Sequence, residues 1–375
     1  MGRGMAVVAT ADNPSAIYFN PAGITQLEGS NLRVGLYAIE LDPSYRAPNS
    51  STSYENQWKY HAVPQLYYTY TPKDSPLTLG LGAYSPFGLG LEWPQNSGLR
   101  SVALESSLND YTINPVVAWQ LPWHLSVAAG LTVSYSEIDL QQGLSAIPNN
   151  DVLRFKGDAW ALGYNLGTRW QPLEQLAFGV SFRSSSEMDY SGHVETQSSS
   201  NPVDPANYSS AGMNYPFPLE LTAGVSYRPT KKWNLEFDAQ FSDWSEVGNL
   251  TIHQTPAATS LVPYPSIPVA LDLQSSWYYE WGVTRYFDNG WHVSAGYIFN
   301  ENSMGDAHYS PLITDLDRHF FSVGTGYRGK HLDFDIAYQF GYGPDRTVVG
   351  SVNPAADGTY SFLSQAIALS VGWHF

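Results

Sequence analysis

Arginine side chains are the groups in this chain that are best suited to bind a charged ligand. Five of them lie on strand-like faces otherwise built of small residues, or at the start of such a segment: Arg169, Arg183, Arg228, Arg328 and Arg318. A guanidinium group binds a carboxylate through two parallel hydrogen bonds, whether the carboxylate belongs to a ligand or to the protein. The acids that could pair with them lie on similar faces: Glu220, Glu236, Asp238, Asp333 and Asp335. We expect several of these pairs to form, and we predict that Arg169 and Arg318 contact a ligand.

Catalytic and metal-binding patterns are weak in comparison. Asp333 and Asp335 share one face of a strand, as Asp315 and Asp317 would, but solvation in a polar interior explains such spacing better than a metal pair. The nine histidines form no ligand cluster, the chain has no cysteine, and no nucleophile motif surrounds any serine. We therefore predict no enzymatic activity, no metal and no cofactor.

Composition excludes two further classes of protein. Charged residues make up 14% of the 375 residues, against roughly 25% in soluble domains, while aromatic residues also reach 14%. No apolar run approaches the roughly 20 residues of a membrane-spanning helix. The net charge of −16, with only 18 Lys and Arg, disfavours nucleic acid as a partner. Low charge without spanning helices is compatible with a membrane β-barrel, whose inner face is polar.

The last residues of the chain show the pattern of a membrane β-strand. Ile367, Leu369, Val371, Trp373 and Phe375 alternate with small or polar residues, as expected for a strand with one apolar face. Similar alternation predicts about fourteen strands, at 31–41, 60–71, 77–86, 110–121, 123–140, 157–170, 175–195, 216–228, 232–250, 273–287, 291–301, 318–328, 331–341 and 361–375. Because an unpaired strand edge is not tolerated in lipid, we predict an all-β fold, a closed antiparallel transmembrane barrel.

The connections between these strands alternate between long and short along the whole chain. Outer-membrane barrels combine short periplasmic turns with long outer loops, so both chain ends are predicted on the periplasmic side. Five tryptophans flank the short turns or the C-terminus, as an interfacial girdle requires: Trp123, Trp170, Trp233, Trp291 and Trp373. The pattern predicts the outer membrane of a Gram-negative bacterium, for which an export signal upstream of the given sequence is expected.

Residues 1–30, here called the hatch segment, do not alternate. The segment is rich in small residues, and Pro14 and Pro21 each follow an asparagine, which favours short helical turns. A barrel of about fourteen strands is too wide for its own side chains to fill. We therefore predict two parts, a lumenal plug at 1–30 and the barrel at 31–375; the alternative is a loose periplasmic tail.

The segment Asp12-Asn-Pro-Ser-Ala-Ile-Tyr-Phe-Asn-Pro-Ala-Gly-Ile-Thr25 resembles the N-terminal signature of the FadL-type transporters of long-chain fatty acids and hydrocarbons. Tyr84-Ser-Pro-Phe-Gly-Leu89 and Asp317-Arg-His-Phe-Phe-Ser-Val-Gly-Thr-Gly-Tyr327 also match, and the resemblance extends over nearly the whole chain. It implies passive uptake of hydrophobic molecules through the outer membrane, with a movable plug and a sideways exit at the third strand. Proline and glycine near the end of that strand independently indicate a break in the ladder.

Three sets of residues follow from this resemblance and from the need for apolar contacts around a hydrophobic ligand. The gate is predicted at Asp12, Asn13, Pro14, Asn20, Pro21, Ala22 and Gly23. The lateral opening is predicted at Ser85, Pro86, Phe87 and Gly88. The apolar ligand contacts are predicted at Tyr18, Phe19, Phe87, Leu89 and Leu91.

A general water-filled porin for small polar solutes is the alternative function. It predicts a charged constriction loop and no apolar plug. The expected partners are fatty acids or hydrocarbons, outer-membrane lipid and lipopolysaccharide, and the barrel-assembly machinery, since a C-terminal aromatic such as Phe375 resembles the signal that this machinery reads.

Overall fold

A computed structural model describes residues 1–146, 151–197, 208–255 and 264–375. The strands in these ranges are β1 (Gly29–Arg46), β2 (Ser53–Glu55), β3 (Tyr60–Thr71), β4 (Leu77–Tyr84), β5 (Gly88–Glu92), β6 (Glu105–Leu121), β7 (Leu125–Gly143), β8 (Val152–Leu173), β9 (Leu176–Arg183) and β10 (Asp189–Gln197). They continue with β11 (Tyr208–Asn214), β12 (Leu219–Thr230), β13 (Trp233–Asp243), β14 (Asn249–Thr255), β15 (Ser266–Ala270), β16 (Ser276–Tyr286), β17 (Trp291–Asn300), β18 (Arg318–Arg328), β19 (Leu332–Val348) and β20 (Gly358–His374).

These strands form a closed antiparallel barrel of 14 strands, which confirms the predicted fold. Several crossings are built from two successive segments, such as β4 and β5 in the third crossing. The first and last strands close the barrel, with pairs running from Asn31 and His374 to Arg46 and Thr359. The alternation that ends the chain therefore belongs to a strand with two neighbours, β19 and β1.

The two faces of the wall follow the sequence alternation. In β20, Ile367, Leu369 and Trp373 are exposed on the outside, whereas Ala366 is buried on the inside. The five tryptophans beside the short turns are all exposed, as a girdle at the membrane interface requires.

Several strands continue beyond their predicted ends on the side of the long connections. β8 begins at Val152, five residues before the predicted strand, and β19 continues to Val348 rather than ending at 341. The apolar alternation stops where the lipid stops, but hydrogen-bonded pairing of the hairpins continues above the membrane. The connection predicted at 141–156 is correspondingly shorter. Parts of the connections predicted at 141–156, 196–215 and 251–272 lie outside the described residues.

The hatch segment contains one short helix, α1 (Ala16–Phe19), and a 3-10 helix (Pro21–Gln26). In the described ranges, three further 3-10 turns lie between strands, at Trp244–Glu246, Asp306–His308 and Pro354–Ala356. None of the helices in the described ranges has the length and hydropathy needed to cross a bilayer.

The outer ends of the strands and the connections between them pack into a hydrophobic core of their own. Tyr45, Trp93, Phe155 and Tyr360 are among its fully buried side chains. The indole Nε1 of Trp93 donates a hydrogen bond to the carbonyl oxygen of Pro311 at 3.0 Å. The outer end of the barrel is therefore covered by packed loops.

Candidate functional site

The hatch segment is held on the inner face of the barrel by two carboxylates of β13. One oxygen of Asp238 accepts hydrogen bonds from the backbone N–H groups of Val7 and Val8, at 2.7 and 2.8 Å. Glu236 accepts from the N–H groups of Ala9 and Thr10, at 2.7 and 3.0 Å. Four consecutive peptide groups of the hatch segment are thus fixed to one strand.

Glycines of the wall allow the hatch backbone to approach it closely. A Cβ added at Gly179 of β9 would lie 2.2 Å from the carbonyl oxygen of Val8. At Gly296 of β17 it would lie 2.1 Å from the backbone nitrogen of Gly4. Real Cβ atoms do not make such contacts, so these two positions require glycine for the observed docking.

Asn20 joins the two helical turns of the hatch segment to the wall. Its Oδ1 accepts from the N–H of Ala22 at 3.2 Å, as an N-cap does. Its Nδ2 donates to the carbonyl oxygens of Val8 and Thr168, at 2.8 and 3.0 Å. Pro21 occupies the first helical position, where its missing N–H costs nothing.

The other predicted gate residues lie beside this turn. Pro14, Pro21, Ala22 and Gly23 are buried. A Cβ at Gly23 would lie 2.3 Å from the Cβ of Ala11, so the 3-10 helix packs directly against the chain at Ala11. Asn13 accepts from the Ser15 hydroxyl at 2.6 Å and closes the turn before α1.

Asp12 is the charged residue of the hatch segment's predicted gate. Its carboxylate lies 3.2 Å from a guanidinium nitrogen of Arg328 and 3.5 Å from one of Arg228. Burial raises the pKa of Asp12. The nearby arginines, first Arg328, then Arg3 and Arg228, lower it by more than burial raises it, so the pKa lies well below its usual range. Asp12 is therefore ionised at neutral pH.

Two isoleucines dock the hatch segment on β4. Ile17 and Ile24 are fully buried, in a cluster with Tyr67 and Tyr84 of the wall. A Cβ at Gly80 would lie 3.0 Å from a methyl carbon of each isoleucine. The absence of a side chain on this part of β4 thus provides their seat.

A cavity of about 1140 Å³ occupies the lumen above and beside the hatch segment. The predicted residues that line it are Asp12, Asn13, Tyr18, Phe19, Ser85, Pro86, Phe87, Gly88, Leu91 and Arg318. Volumes of several hundred to about a thousand Å³ are typical of ligand sites. The sequence therefore identified residues from three separate segments that meet around one space.

Arg169 is placed differently. The Nε of Arg169 donates to the carbonyl oxygen of Ala9 at 2.8 Å, and the side chain is not among those that line the cavity. Arg169 thus contacts the hatch segment. Leu89 belongs to β5, where its backbone lies opposite Leu108 of β6, but its side chain lies outside the described part of the structure.

Arg318 lines the cavity at the start of β18. It donates to the carbonyl oxygen of Thr314 at 3.0 Å, lies 3.7 Å from Asp315, and stacks over the ring of Phe362 at 4.6 Å. Within the described ranges, no group of three or more acidic, histidine or cysteine side chains could hold a metal ion.

The hydrogen-bonded ladder is interrupted between the second and third crossings. β3 pairs with β4 from Leu66 to Tyr70, but its residues 60–65 have no partner on β5. The chain leaves β4 at Tyr84 and resumes pairing with β6 at Gly88. Three residues, 85–87, thus lie opposite two, 110–111. We call this interruption the strand gap.

His61 was not singled out by its sequence, and it lies across the strand gap. A Cβ at Gly90 of β5 would be 2.1 Å from Cε1 of the His61 ring, so the ring lies directly on that glycine. The ring also packs on Trp58, with 4.9 Å between ring centres. The alternation of β3 shows only that His61 points inward, and nothing local in the sequence indicates Gly90 as its neighbour.

A second cavity, of about 310 Å³, lies among the outer connections. Apolar side chains from the outer ends of several strands and from the connection before β18 line it, including Leu140, Phe155, Ile252, Val269 and Leu312. We call this space the outer cavity.

Comparison with known proteins identifies the family. The profile of the family described as "Outer membrane protein transport protein (OMPP1/FadL/TodX)" matches residues 1–375. The chain belongs to this family. The resemblance seen in the sequence and the outer-membrane location are thereby confirmed, and the family consists of transporters.

Individual relatives of the chain are distant. A long-chain fatty acid transport protein of Escherichia coli O6:H1 is 23% identical, over 98% of this chain and 89% of its own. A Pseudomonas aeruginosa FadL homologue has a TM-score of 0.86 at 17% identity, covering 99% of this chain and 96% of its own. The Pseudomonas putida toluene transporter TodX has a TM-score of 0.74 at 16% identity, covering 100% and 98%. At such identities, the structural likeness shows the fold.

Proposed function

We propose that the chain is a passive channel for hydrophobic molecules. Cargo enters through the outer cavity, occupies the lumenal cavity and leaves sideways into the membrane through the strand gap. The named functions of relatives support this class of cargo, since one is a fatty acid transporter and another a toluene transporter. Diffusion down a gradient needs no energy source.

The observation that carries the proposal is the position of the strand gap beside the cavity. Ser85, Pro86, Phe87 and Gly88 all line the cavity and lie at the break in the third crossing. The cavity lining also includes Tyr60 and Pro64, which belong to the part of β3 that pairs with β1 but has no partner on β5. A lipophilic molecule can pass sideways into the bilayer there, because no ladder of backbone hydrogen bonds joins β3 to β5.

The hatch segment is proposed to close the lumen against water and ions. Its four N–H groups on β13, its ion pairs at Asp12 and its two isoleucines on β4 all tie it to the wall. Movement of this segment would enlarge the path for cargo. An apolar plug of this kind is the feature that favours a hydrophobe channel over a general porin.

Two partners belong to the same proposal. The exposed apolar outer face requires lipid, with lipopolysaccharide in the outer leaflet. Phe375 is 78% exposed, and its N–H donates to the carbonyl oxygen of Ser30 at 3.0 Å. Its ring is thus presented at the barrel rim, where the barrel-assembly machinery can bind it.

Proteoliposomes test the choice between hydrophobe channel and porin. The protein should accelerate uptake of a fluorescent fatty acid or an aromatic hydrocarbon while passing little small sugar. Sugar permeation equal to that of the hydrophobe would support the porin instead.

The lateral exit has its own test. Because residues 85–87 lie opposite only two residues of β6, deletion of Pro86 restores a continuous register through β4 and β5. The merged strand can then pair with β3, and hydrophobe uptake should fall close to the rate of empty vesicles. Deletion of the exposed Ser51, in a connection away from the cavity, is the matched control. Unchanged uptake after Pro86 deletion would exclude this exit.

A further inference from the structure

The charges that line the lumenal cavity are unequally matched. Four arginines line it, and each has a carboxylate partner: Arg3 with Glu236, Arg33 with Asp335, Arg318 with Asp315, and Arg328 with Asp12. These guanidinium groups are thus already neutralised by acids of the protein. A carboxylate ligand would have to compete for them.

Two carboxyl groups of the cavity wall have no such partner. Asp110 and Glu280 line the cavity, and neither has a basic side chain within ion-pair distance in the described ranges. Asp110 is 1% exposed; one oxygen accepts from the Thr112 hydroxyl at 3.3 Å, and Oδ1 has no hydrogen-bond partner. Glu280 is 6% exposed. Among the described residues, the cavity therefore has spare acceptors and no spare arginine.

Asp110 also has a particular place in the barrel. It lies on β6 between the residues that pair with Tyr84 and with Gly88, so it is directly opposite the break in the third crossing. Cargo that reaches the strand gap must pass this side chain. A buried acceptor left without a partner is costly, and a hydroxyl group on the cargo would satisfy it.

A fatty carboxylate is poorly matched to this wall. Burying it where no arginine is free leaves its charge without a guanidinium partner, and taking an arginine from a protein acid only transfers that problem. An uncharged molecule needs no cation and therefore leaves the ion pairs of the protein intact. This reasoning holds whether Asp110 and Glu280 are ionised or protonated, since neither supplies positive charge.

We propose that the cavity selects uncharged hydrophobic molecules over fatty carboxylates, and that Asp110 accepts a hydrogen bond from a hydroxyl group of the cargo at the strand gap. This selectivity rests on the proposed function, in which hydrophobic molecules occupy the cavity.

The selectivity of the cavity is measured by displacement of a fluorescent neutral probe, N-phenyl-1-naphthylamine, from the full-length protein in amphipol. The competitors are 1-decanol, decanoate and decane, which share one chain length. The measurement is made at about pH 8, above the ordinary histidine pKa of about 6.5. We expect 1-decanol to displace the probe at a roughly tenfold lower concentration than either decanoate or decane, the gain expected from one net hydrogen bond of about 1.4 kcal/mol.

Two variants separate the two parts of the proposal. Asp110→Leu, of similar volume, should remove the preference for 1-decanol over decane. Asp335→Asn releases Arg33 from its carboxylate partner and should increase decanoate affinity by roughly tenfold. An increase in affinity cannot result from misfolding.

The contrary outcomes are distinct. If decanoate competes as well as 1-decanol in the native protein and loses this ability in Arg318→Gln, the proposed selectivity is wrong. The proposed hydrophobe channel is not contradicted by that result. If none of the three competitors displaces the probe, the cavity is not a hydrophobe site, and the proposed function fails with the selectivity.

Discussion

The carboxylate of Glu236 should control whether the hatch segment stays docked. It is almost completely buried, accepts from the backbone of Ala9 and Thr10, and lies 3.2 Å from the guanidinium group of Arg3. It also accepts from the Thr10 hydroxyl in a short contact. Replacing Glu236 by Ala removes all of these bonds from one side of the plug and leaves Arg3 buried without its partner.

The size of the effect follows from the burial of this pair. Removing one member of a buried ion pair costs roughly 3–5 kcal/mol, because the other charge is left uncompensated. At about 1.4 kcal/mol for each factor of ten, the docking equilibrium of the hatch segment shifts by roughly two to three and a half orders of magnitude. Glu236→Gln keeps an acceptor oxygen for the two N–H groups and should give a smaller shift.

Ion conductance in planar bilayers measures the undocked fraction. Deletion of residues 1–25 sets the upper limit, the conductance of the unplugged barrel, and Glu236→Ala should approach it. Asp333→Ala is the matched control, because this inward carboxylate pairs with His374 of the wall rather than with the hatch segment. If Glu236→Ala conducts like Asp333→Ala, the carboxylate does not hold the plug. If the deletion itself leaves conductance unchanged, the segment is no plug.

Two further predictions concern the same segment. The hydroxyl oxygens of Thr10 and Ser226 are 3.1 Å apart, and the chain has no cysteine of its own. Cysteines at both positions should therefore form a disulfide that ties the plug to β12. This disulfide should lower hydrophobe uptake until a reductant is added. Cysteines at Ser44 and Ser361, whose hydroxyl oxygens are 2.7 Å apart on neighbouring wall strands, are the control, and equal loss in both pairs would contradict a moving plug. Asp12→Asn should increase ion conductance roughly fivefold, since its arginine partners are partly exposed and the pairs are worth about 1 kcal/mol. Because the pKa of Asp12 is lowered in the docked state, its contribution is present above the ordinary value of about 3.9 and is lost only as pH falls below it; native conductance that rises between about pH 8 and pH 5 would contradict this assignment.

The barrel was predictable because lipid imposes a period on the sequence. Ile367, Leu369 and Trp373 alternate with small residues because each strand must present one face to lipid, and closure follows from the cost of an unpaired edge. Pro86 and Gly88 likewise indicated the break in the third crossing, since proline cannot donate to a ladder. These are local properties, and they can be read from a single sequence.

The interior was less predictable because alternation gives the direction of a side chain but not its depth. Arg169 points inward as expected, yet the group it reaches is a carbonyl of the hatch segment rather than the cavity. Glu236 and Asp238 were expected to pair with arginines; one does bind Arg3, but both mainly hold backbone N–H groups. Which inward residue meets the plug depends on how the plug is folded, and nothing in β13 itself encodes that.

The plug contacts β4, and the strand gap begins at the end of the same strand. A movement of the plug can therefore affect the gap. Gly80 seats Ile17 and Ile24 on the inner face of β4, and the same strand ends at Tyr84, where the gap begins. Glycine in a strand gives no side-chain packing of its own, so these two isoleucines supply the apolar contacts on that face. Undocking the plug would therefore uncover the wall of the cavity beside the strand gap and weaken the packing of the strand that borders it. In the proposed function, a single movement of the plug would thus widen the cavity and loosen the exit.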